Sequence, residues 1–207
     1  MSPAEHIWEK FYQEKGRGDQ DPFPRFHEVL RLYKEFGCYR ILDLGCGSGR
    51  HLTHLARNGF GVVGMDVSTT ALQLTREWIV QEGCDASVVL ADMRIPLPFK
   101  ENSFDGVFST QVIHHARFAV VRRTIGEIFR ILTPGGIAFV TVSARKDDLK
   151  HIEIEPNTFV PHAGPEEGVP HHIFSKNELR KSFQAFHILE ISLRAEGKVL
   201  AVVAQKP

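Results

Sequence analysis

Short apolar runs rich in β-branched residues recur along the chain, at Arg40–Leu44, Gly61–Asp66, Ser87–Ala91, Phe104–Ser109 and Gly136–Ser143. Their lengths and flanking turn residues predict strands. Between most of them the apolar residues return with a helical period instead. His51–Asn58 carries Leu52, Leu55 and Ala56 on one face. Thr69–Glu82 follows Ser68, whose hydroxyl suits the N-terminus of a helix. Val120–Leu132 carries Ile125, Ile128, Phe129 and Leu132, and Pro134-Gly135-Gly136 stops it. Strands alternating with helices predict a parallel sheet covered on both faces.

The pattern changes near the C-terminus. Ser175 and Glu178 have capping-box spacing and predict a helix reaching about Phe186. His187–Arg194 and Val199–Gln205 then read as two strands joined by "AEGK", an antiparallel hairpin. Two segments stand outside the alternation. Residues 1–37 form an N-terminal extension with a helix from about Arg25 to Phe36, preceded by Trp8, Phe11 and Tyr12 at helical spacing. Residues 144–174 form a long connection containing Pro156, Pro161, Pro165 and Pro170. It leaves the carboxyl end of a strand, where open α/β sheets bind ligands, and reads as a substrate-side insertion in a single domain spanning residues 1–207.

Composition narrows the partners. The chain has 207 residues, 43% of them hydrophobic, and equal numbers of basic and acidic residues, 25 each. This balance gives no global field for nucleic acid or an anionic membrane. Arg117, Arg122, Arg123 and Arg130 read as a solvated helix face. Cys38, Cys46 and Cys84 are odd in number and lack CxxC spacing, which disfavours a disulfide framework or zinc finger and suits a reducing compartment. No basic-then-apolar leader and no run long enough to span a bilayer is visible. The expectation is a cytoplasmic monomer or homodimer.

The run "ILDLGCGSGR" concentrates the chemistry. Glycines directly after a strand and before a helix let backbone N–H groups approach a ligand closely. Gly45, Gly47 and Gly49 depart from the dinucleotide spacing G-x-G-x-x-G, since the third glycine comes one residue early. Asp43 adds a carboxylate that suits a cationic ligand better than a pyrophosphate. The second strand ends in Asp66, placed to accept from both hydroxyls of a ribose. The third is followed by Asp92, able to accept from an exocyclic amine, and by Met93, able to pack on a base. For any one of these aspartates a helix cap or turn is the competing role.

These stretches together resemble the class I S-adenosylmethionine-dependent methyltransferases. "LDLGCGSGR", "VVGMDVS", "LADMRIPLPF", "NSFDGVFSTQVIHHA" and "EIFRILTPGGIAFVTV" are similar to that family's successive motifs, covering about residues 38–143. The resemblance implies a Rossmann-like seven-stranded sheet, mostly parallel with a terminal antiparallel hairpin, and helices on both faces. It implies S-adenosylmethionine as cofactor and S-adenosylhomocysteine as product. Gly45, Gly47 and Gly49 would pass under the methionine part, with Asp43 near its amino end. Asp66, with Val67 beside it, would hold the ribose. Asp92 and Met93 would meet the adenine, and Gln111 would lie beside the methionine moiety. Trp8 and Tyr12 resemble the N-terminal aromatic cover of thiopurine- and tellurite-resistance-type methyltransferases, and Arg25 would assist an acidic group.

Methyl transfer from a sulfonium needs alignment more than acid–base chemistry, so no catalytic residue is dictated. His114 and His115, just after the fourth strand, are the candidate catalytic residues; their competing role is structural. His171 and His172 are placed to line an acceptor pocket. No metal is expected; a joint site built from both histidine pairs would need a fixed geometry and outer partners that orient the rings. The acceptor is expected to be a small molecule, with neither nucleic acid nor membrane as partner. Two rivals remain: a non-catalytic cofactor-binding module, and a nicotinamide-type oxidoreductase, against which the glycine spacing and the hairpin both speak.

Overall fold

The computed structural model describes residues 3–144 and 151–207. Helices α1 (Pro3–Lys15) and α2 (Phe26–Glu35) precede an alternating region: β1 (Arg40–Leu44), α3 (Arg50–Arg57), β2 (Gly61–Asp66), α4 (Thr69–Glu82), β3 (Ala86–Leu90), β4 (Phe104–Thr110), α5 (Phe118–Ile131) and β5 (Leu132–Ser143). Three short strands follow, β6 (His151–Glu155), β7 (Thr158–Pro161) and β8 (His171–His172). The chain ends with α6 (Lys176–Ser182), β9 (His187–Arg194) and β10 (Val199–Gln205).

Seven strands form one sheet in the order β3-β2-β1-β4-β5-β10-β9. The first five run parallel, β10 lies antiparallel to β5, and β9 antiparallel to β10. The order reverses at β1, between β2 and β4, which opens a crevice at the carboxyl ends of these strands. Alternate residues of β1 serve opposite faces. Leu42 and Leu44 pack with Ile125, Ile128 and Leu179 of α5 and α6. Ile41 packs with Val29 and Tyr33 of α2, Leu52 and Leu55 of α3, and Leu72 of α4. Each such fully buried aliphatic side chain contributes roughly 1.5–3 kcal/mol.

Local chemistry fixes the element ends. The Ser68 hydroxyl accepts from the Ala71 N–H at 3.0 Å and starts α4. The Ser175 hydroxyl accepts from the Glu178 N–H at 3.1 Å and starts α6, but the Glu178 carboxylate turns to His172 rather than completing a capping box. α6 ends at Ser182, a turn short of the expected limit, because Phe183 and Phe186 enter the core from the following turn. The connection after β5 is not the irregular segment that its prolines suggest: β6, β7 and β8 form a separate antiparallel sheet. Residues 145–150 of the expected insertion lie outside the described residues.

Candidate active site

The glycine loop leaves β1 with Gly45, Gly47 and Gly49 all in the left-handed region, at φ 77, 55 and 92°. The Gly45 and Cys46 N–H groups both donate to the Met65 carbonyl, at 2.7 and 3.0 Å, which ties the loop to the end of β2. A Cβ at Gly45 would strike the Val112 side chain, and one at Gly47 the Tyr12 hydroxyl. The loop is therefore closed to side chains by its neighbours as well as by its dihedrals.

Asp66 ends β2 directly beside this loop. Its Oδ2 accepts from the Gly47 N–H at 2.9 Å and its Oδ1 from the Ser68 N–H at 3.0 Å. Burial raises its pKa, and these backbone donors partly counter the rise. A carboxylate offers about four lone-pair positions, so acceptor capacity remains on the side facing the cavity that Asp66 lines.

That cavity encloses about 950 Å³ at the carboxyl ends of β1, β2, β3 and β4, the upper size for a small-molecule site. Among the residues singled out from sequence, Gly45, Gly47, Asp66, Val67, Asp92, Met93, Gln111, His114, His115, His171, Trp8 and Tyr12 all line it. Asp43, Gly49 and His172 do not. Asp43 lies beneath the loop, 2% exposed, with Oδ2 lacking a hydrogen-bond partner. Burial, and then the nearby Asp66 charge, push its carboxyl up to about 8. It is buried behind the loop and does not form part of the cavity wall. Gly49 turns the chain into α3, packed against Thr75. His172 is a core residue: its ring stacks on Phe118 with centroids 4.4 Å apart, Nδ1 meets Thr158 Oγ1 at 2.8 Å, and Nε2 meets Glu178 at 3.3 Å.

Asp92 is already engaged. Arg94 Nε lies 2.8 and 2.9 Å from its two oxygens, and the Arg94 N–H donates to Oδ1 at 2.8 Å. Burial opposes ionisation of Asp92, but these bonds outweigh it and hold the carboxyl below its usual range. Any contact to an amine therefore shares this carboxylate with Arg94. Arg25 pairs with Glu28 at 2.6 Å and does not line the cavity.

Gln111 adopts φ 56°, unusual for a residue with a side chain. Its backbone N–H and its Nε2 both donate to Thr141 Oγ1, at 3.0 and 3.2 Å. Ser143 Oγ reaches Gln111 Oε1 at 3.3 Å and His114 Nε2 at 3.0 Å. β5 thus supplies two hydroxyls that hold the wall after β4, a contribution the sequence reading missed.

His114 and His115 are both buried. Burial, then the neighbouring imidazoles, drive their pKa values down, that of His114 to about 3. Both are uncharged at neutral pH. The His172 N–H donates to the His114 carbonyl at 2.8 Å, and this carries the adjacent His171 into the same wall. The His115 and His171 ring centroids stand 4.7 Å apart.

α1 roofs the cavity. Trp8 lies against the His115 ring, with centroids 5.1 Å apart, and burial raises the pKa of the Tyr12 phenol above the loop. Glu9, also missed from sequence, pins the helix. Its Oε2 accepts from Ser68 Oγ at 2.8 Å and the Thr70 N–H at 3.2 Å, and its Oε1 from Thr70 Oγ1 at 2.5 Å. This places a carboxylate at the N-terminus of α4, where the helix dipole favours negative charge.

Comparison with known proteins agrees with this geometry. The family model described as "Methyltransferase domain" matches residues 42–140. 24-methylenesterol C-methyltransferase 2 of Oryza sativa subsp. japonica is 33% identical over 138 residues, 62% of this chain and 38% of that protein. The 18S rRNA (guanine-N(7))-methyltransferase bud23 of Schizosaccharomyces pombe is 33% identical over 123 residues, 55% of this chain and 45% of that protein. The chain spans about half or less of the length of the curated relatives it matches first. In fold it is similar to the crystal structure of the PH0226 protein from Pyrococcus horikoshii OT3, at a TM-score of 0.75 and 20% identity, covering 96% of this chain and 99% of that one. With the glycine loop, the strand-end acids and the seven-stranded sheet in place, residues 42–140 belong to the class I S-adenosylmethionine-dependent methyltransferase family.

Proposed function

We propose that this chain catalyses methyl transfer from S-adenosylmethionine to a small-molecule acceptor. The observation that carries the reading is a single roofed cavity that holds both the glycine loop with Asp66 and a wall of uncharged imidazoles. S-adenosylmethionine, when bound, supplies a methyl group already activated on a sulfonium. Gly45 and Gly47 leave room for the backbone to approach its methionine part, and Asp66 accepts from its ribose hydroxyls. Val67, Met93 and Asp92 line the adenine side, and Gln111 stands beside the methionine side. His114, His115 and His171 face the acceptor, the first two as lone-pair donors rather than as charges. Trp8 and Tyr12 cover the site and keep water out while acceptor and donor are aligned.

The roof and the surface charge support the reading of a small acceptor. Arg117 pairs with Glu155 at 3.2 Å and Arg130 with Glu127 at 2.7 Å, so half of the basic helix face is neutralised rather than presented to a phosphate backbone. No described helix is long and apolar enough to cross a membrane. We place the protein in the cytoplasm, where its three free cysteines stay reduced. The deciding experiment incubates the protein and methyl-labelled S-adenosylmethionine with a metabolite extract and, separately, with total RNA. Label in the small-molecule fraction alone is expected. Label in RNA overturns the acceptor class. Tight binding of S-adenosylhomocysteine without transfer to any acceptor selects the non-catalytic module.

A further inference from the structure

We propose that His114, His115 and His171 form a binding site for a divalent transition-metal ion of the zinc type, in the cavity wall where the acceptor lies. Each residue offers one ring nitrogen, and these three atoms lie within 4.8 Å of one another. Around a tetrahedral ion with bonds of about 2.0–2.1 Å, ligand nitrogens stand about 3.4 Å apart. Small rotations about the side-chain bonds close the difference.

Four independent features point the same way. The His114 Nδ1 is buried and lacks a hydrogen-bond partner, a costly state for a polar atom that a metal relieves. The other nitrogen of that ring, Nε2, meets Ser143 Oγ at 3.0 Å, the outer contact that orients a ligating imidazole. The Glu166 carboxylate lies 3.2 Å from His171 Nε2 and 4.0 Å from His115 Nε2, supplying negative charge beside the cluster. The backbone bond from His172 N–H to the His114 carbonyl pre-assembles the rings from two distant parts of the chain.

Imidazole ligands select the zinc, nickel, cobalt and copper group over magnesium or calcium. Three histidines leave one position open, the pattern of a catalytic rather than a structural zinc site. All three residues line the cavity, so that position faces it. An acceptor carrying a hydroxyl, amine or thiol can occupy it; this last step rests on the proposed function, while the metal site itself does not. The site departs from the metal-free pocket expected from sequence, and makes His114 and His115 ligands rather than bases.

The test uses the full chain stripped with a chelator, titrated with Zn²⁺ alone by calorimetry and with Co²⁺ by visible absorption. One equivalent of Zn²⁺ and the intense d–d bands of four-coordinate Co²⁺ are expected. His171→Ala should weaken binding by at least about 100-fold, and Ser143→Ala by about 10-fold. His162→Ala, at an exposed position, should leave it unchanged. If His114→Ala fails to fold, His171→Ala still decides the matter, because its ring sits at the edge of the cluster. Absence of stoichiometric binding overturns the site, as does binding undiminished in His171→Ala. S-adenosylhomocysteine titrated into the same metal-free protein separates the two readings. Its binding without that of Zn²⁺ removes the metal site alone, and Zn²⁺ binding without it removes the proposed function alone.

Discussion

Replacing Asp66 with alanine removes a carboxylate that is held by the glycine loop and also lines the cavity. The Gly47 and Ser68 N–H groups occupy one lone pair on each oxygen, at 2.9 and 3.0 Å. The Val67 N–H also bears on this carboxylate, so one to two acceptor positions are left for the ribose hydroxyls. Hydrogen bonds to a charged group are worth about 1.5–3 kcal/mol each. Water entering the vacated space recovers part of this, so the loss of one bond, about 1.5 kcal/mol, is the floor. The loss of both, about 6 kcal/mol, is the ceiling. At 1.4 kcal/mol per tenfold, S-adenosylhomocysteine should bind between about 10-fold and 10⁴-fold more weakly. Calorimetric titration measures this directly, and denaturant unfolding of the same variant shows whether the loop has come apart. Asp66→Asn keeps one acceptor oxygen, presents an amide where an N–H already points, and should fall between parent and alanine. A folded Asp66→Ala protein that binds within about threefold of the parent would refute the ribose assignment.

Asp43 gives a pH dependence with a definite sign. Its folded pKa of about 8 lies above the unfolded carboxylate value, about 3.9. Its contribution to stability is thus fully present at low pH, and is lost as pH rises between these values, at roughly 1.4 kcal/mol per unit. Urea unfolding from pH 5 to pH 8 should show this decline in the parent and a shallower one in Asp43→Asn; equal slopes would contradict it. Glu9→Ala removes the bonds that hold α1 to Ser68 and Thr70. Amide exchange across residues 3–15 should accelerate and S-adenosylhomocysteine bind more weakly while the melting of the sheet is unmoved, and unchanged exchange in α1 would exclude Glu9 as the latch.

What the sequence revealed is mostly what is local. β1, β2 and both hairpin strands fall within the expected limits because each is a short β-branched run between turn residues. α4 likewise starts after Ser68 and ends before Gly83, which takes φ 62°. Misreadings cluster where two signals overlap. Phe183 and Phe186 continue the apolar spacing of α6 although the chain has left the helix. β5 begins at Leu132, ahead of the Pro134-Gly135 turn that was expected to delay it. The prolines after residue 150 read as irregular chain, yet Pro161 closes β7 and Pro156-Asn157 turns β6 into it, with Asn157 at φ 60°. In the site, the acids at strand ends were legible because each follows its own strand. Asp43 was legible as a carboxylate but not as one turned under the loop, since that depends on α3 packing above it. Glu9 against Thr70 was illegible because nothing in either segment refers to the other.

The roof and the imidazole wall are coupled through α1. Tyr12 sits where a side chain on Gly47 would stand, and four residues earlier, one turn back on the same helix face, Trp8 reaches the His115 ring. One rigid helix therefore covers the glycine loop and touches the histidine cluster together. On the proposed function, a ligand on either side meets the same element, and a shift of α1 would uncover the loop and His115 together. Only Glu9 fixes that helix to α4 by charge-assisted hydrogen bonds among the described residues of α1. On the proposed function, the order in which donor and acceptor enter would depend on how firmly α1 is held on its seat. The sheet, with its strand-end acids, sets what the cavity binds. The N-terminal helix, supplied by a segment outside the residues that the family model matches, forms the roof over that cavity and touches both of its ends.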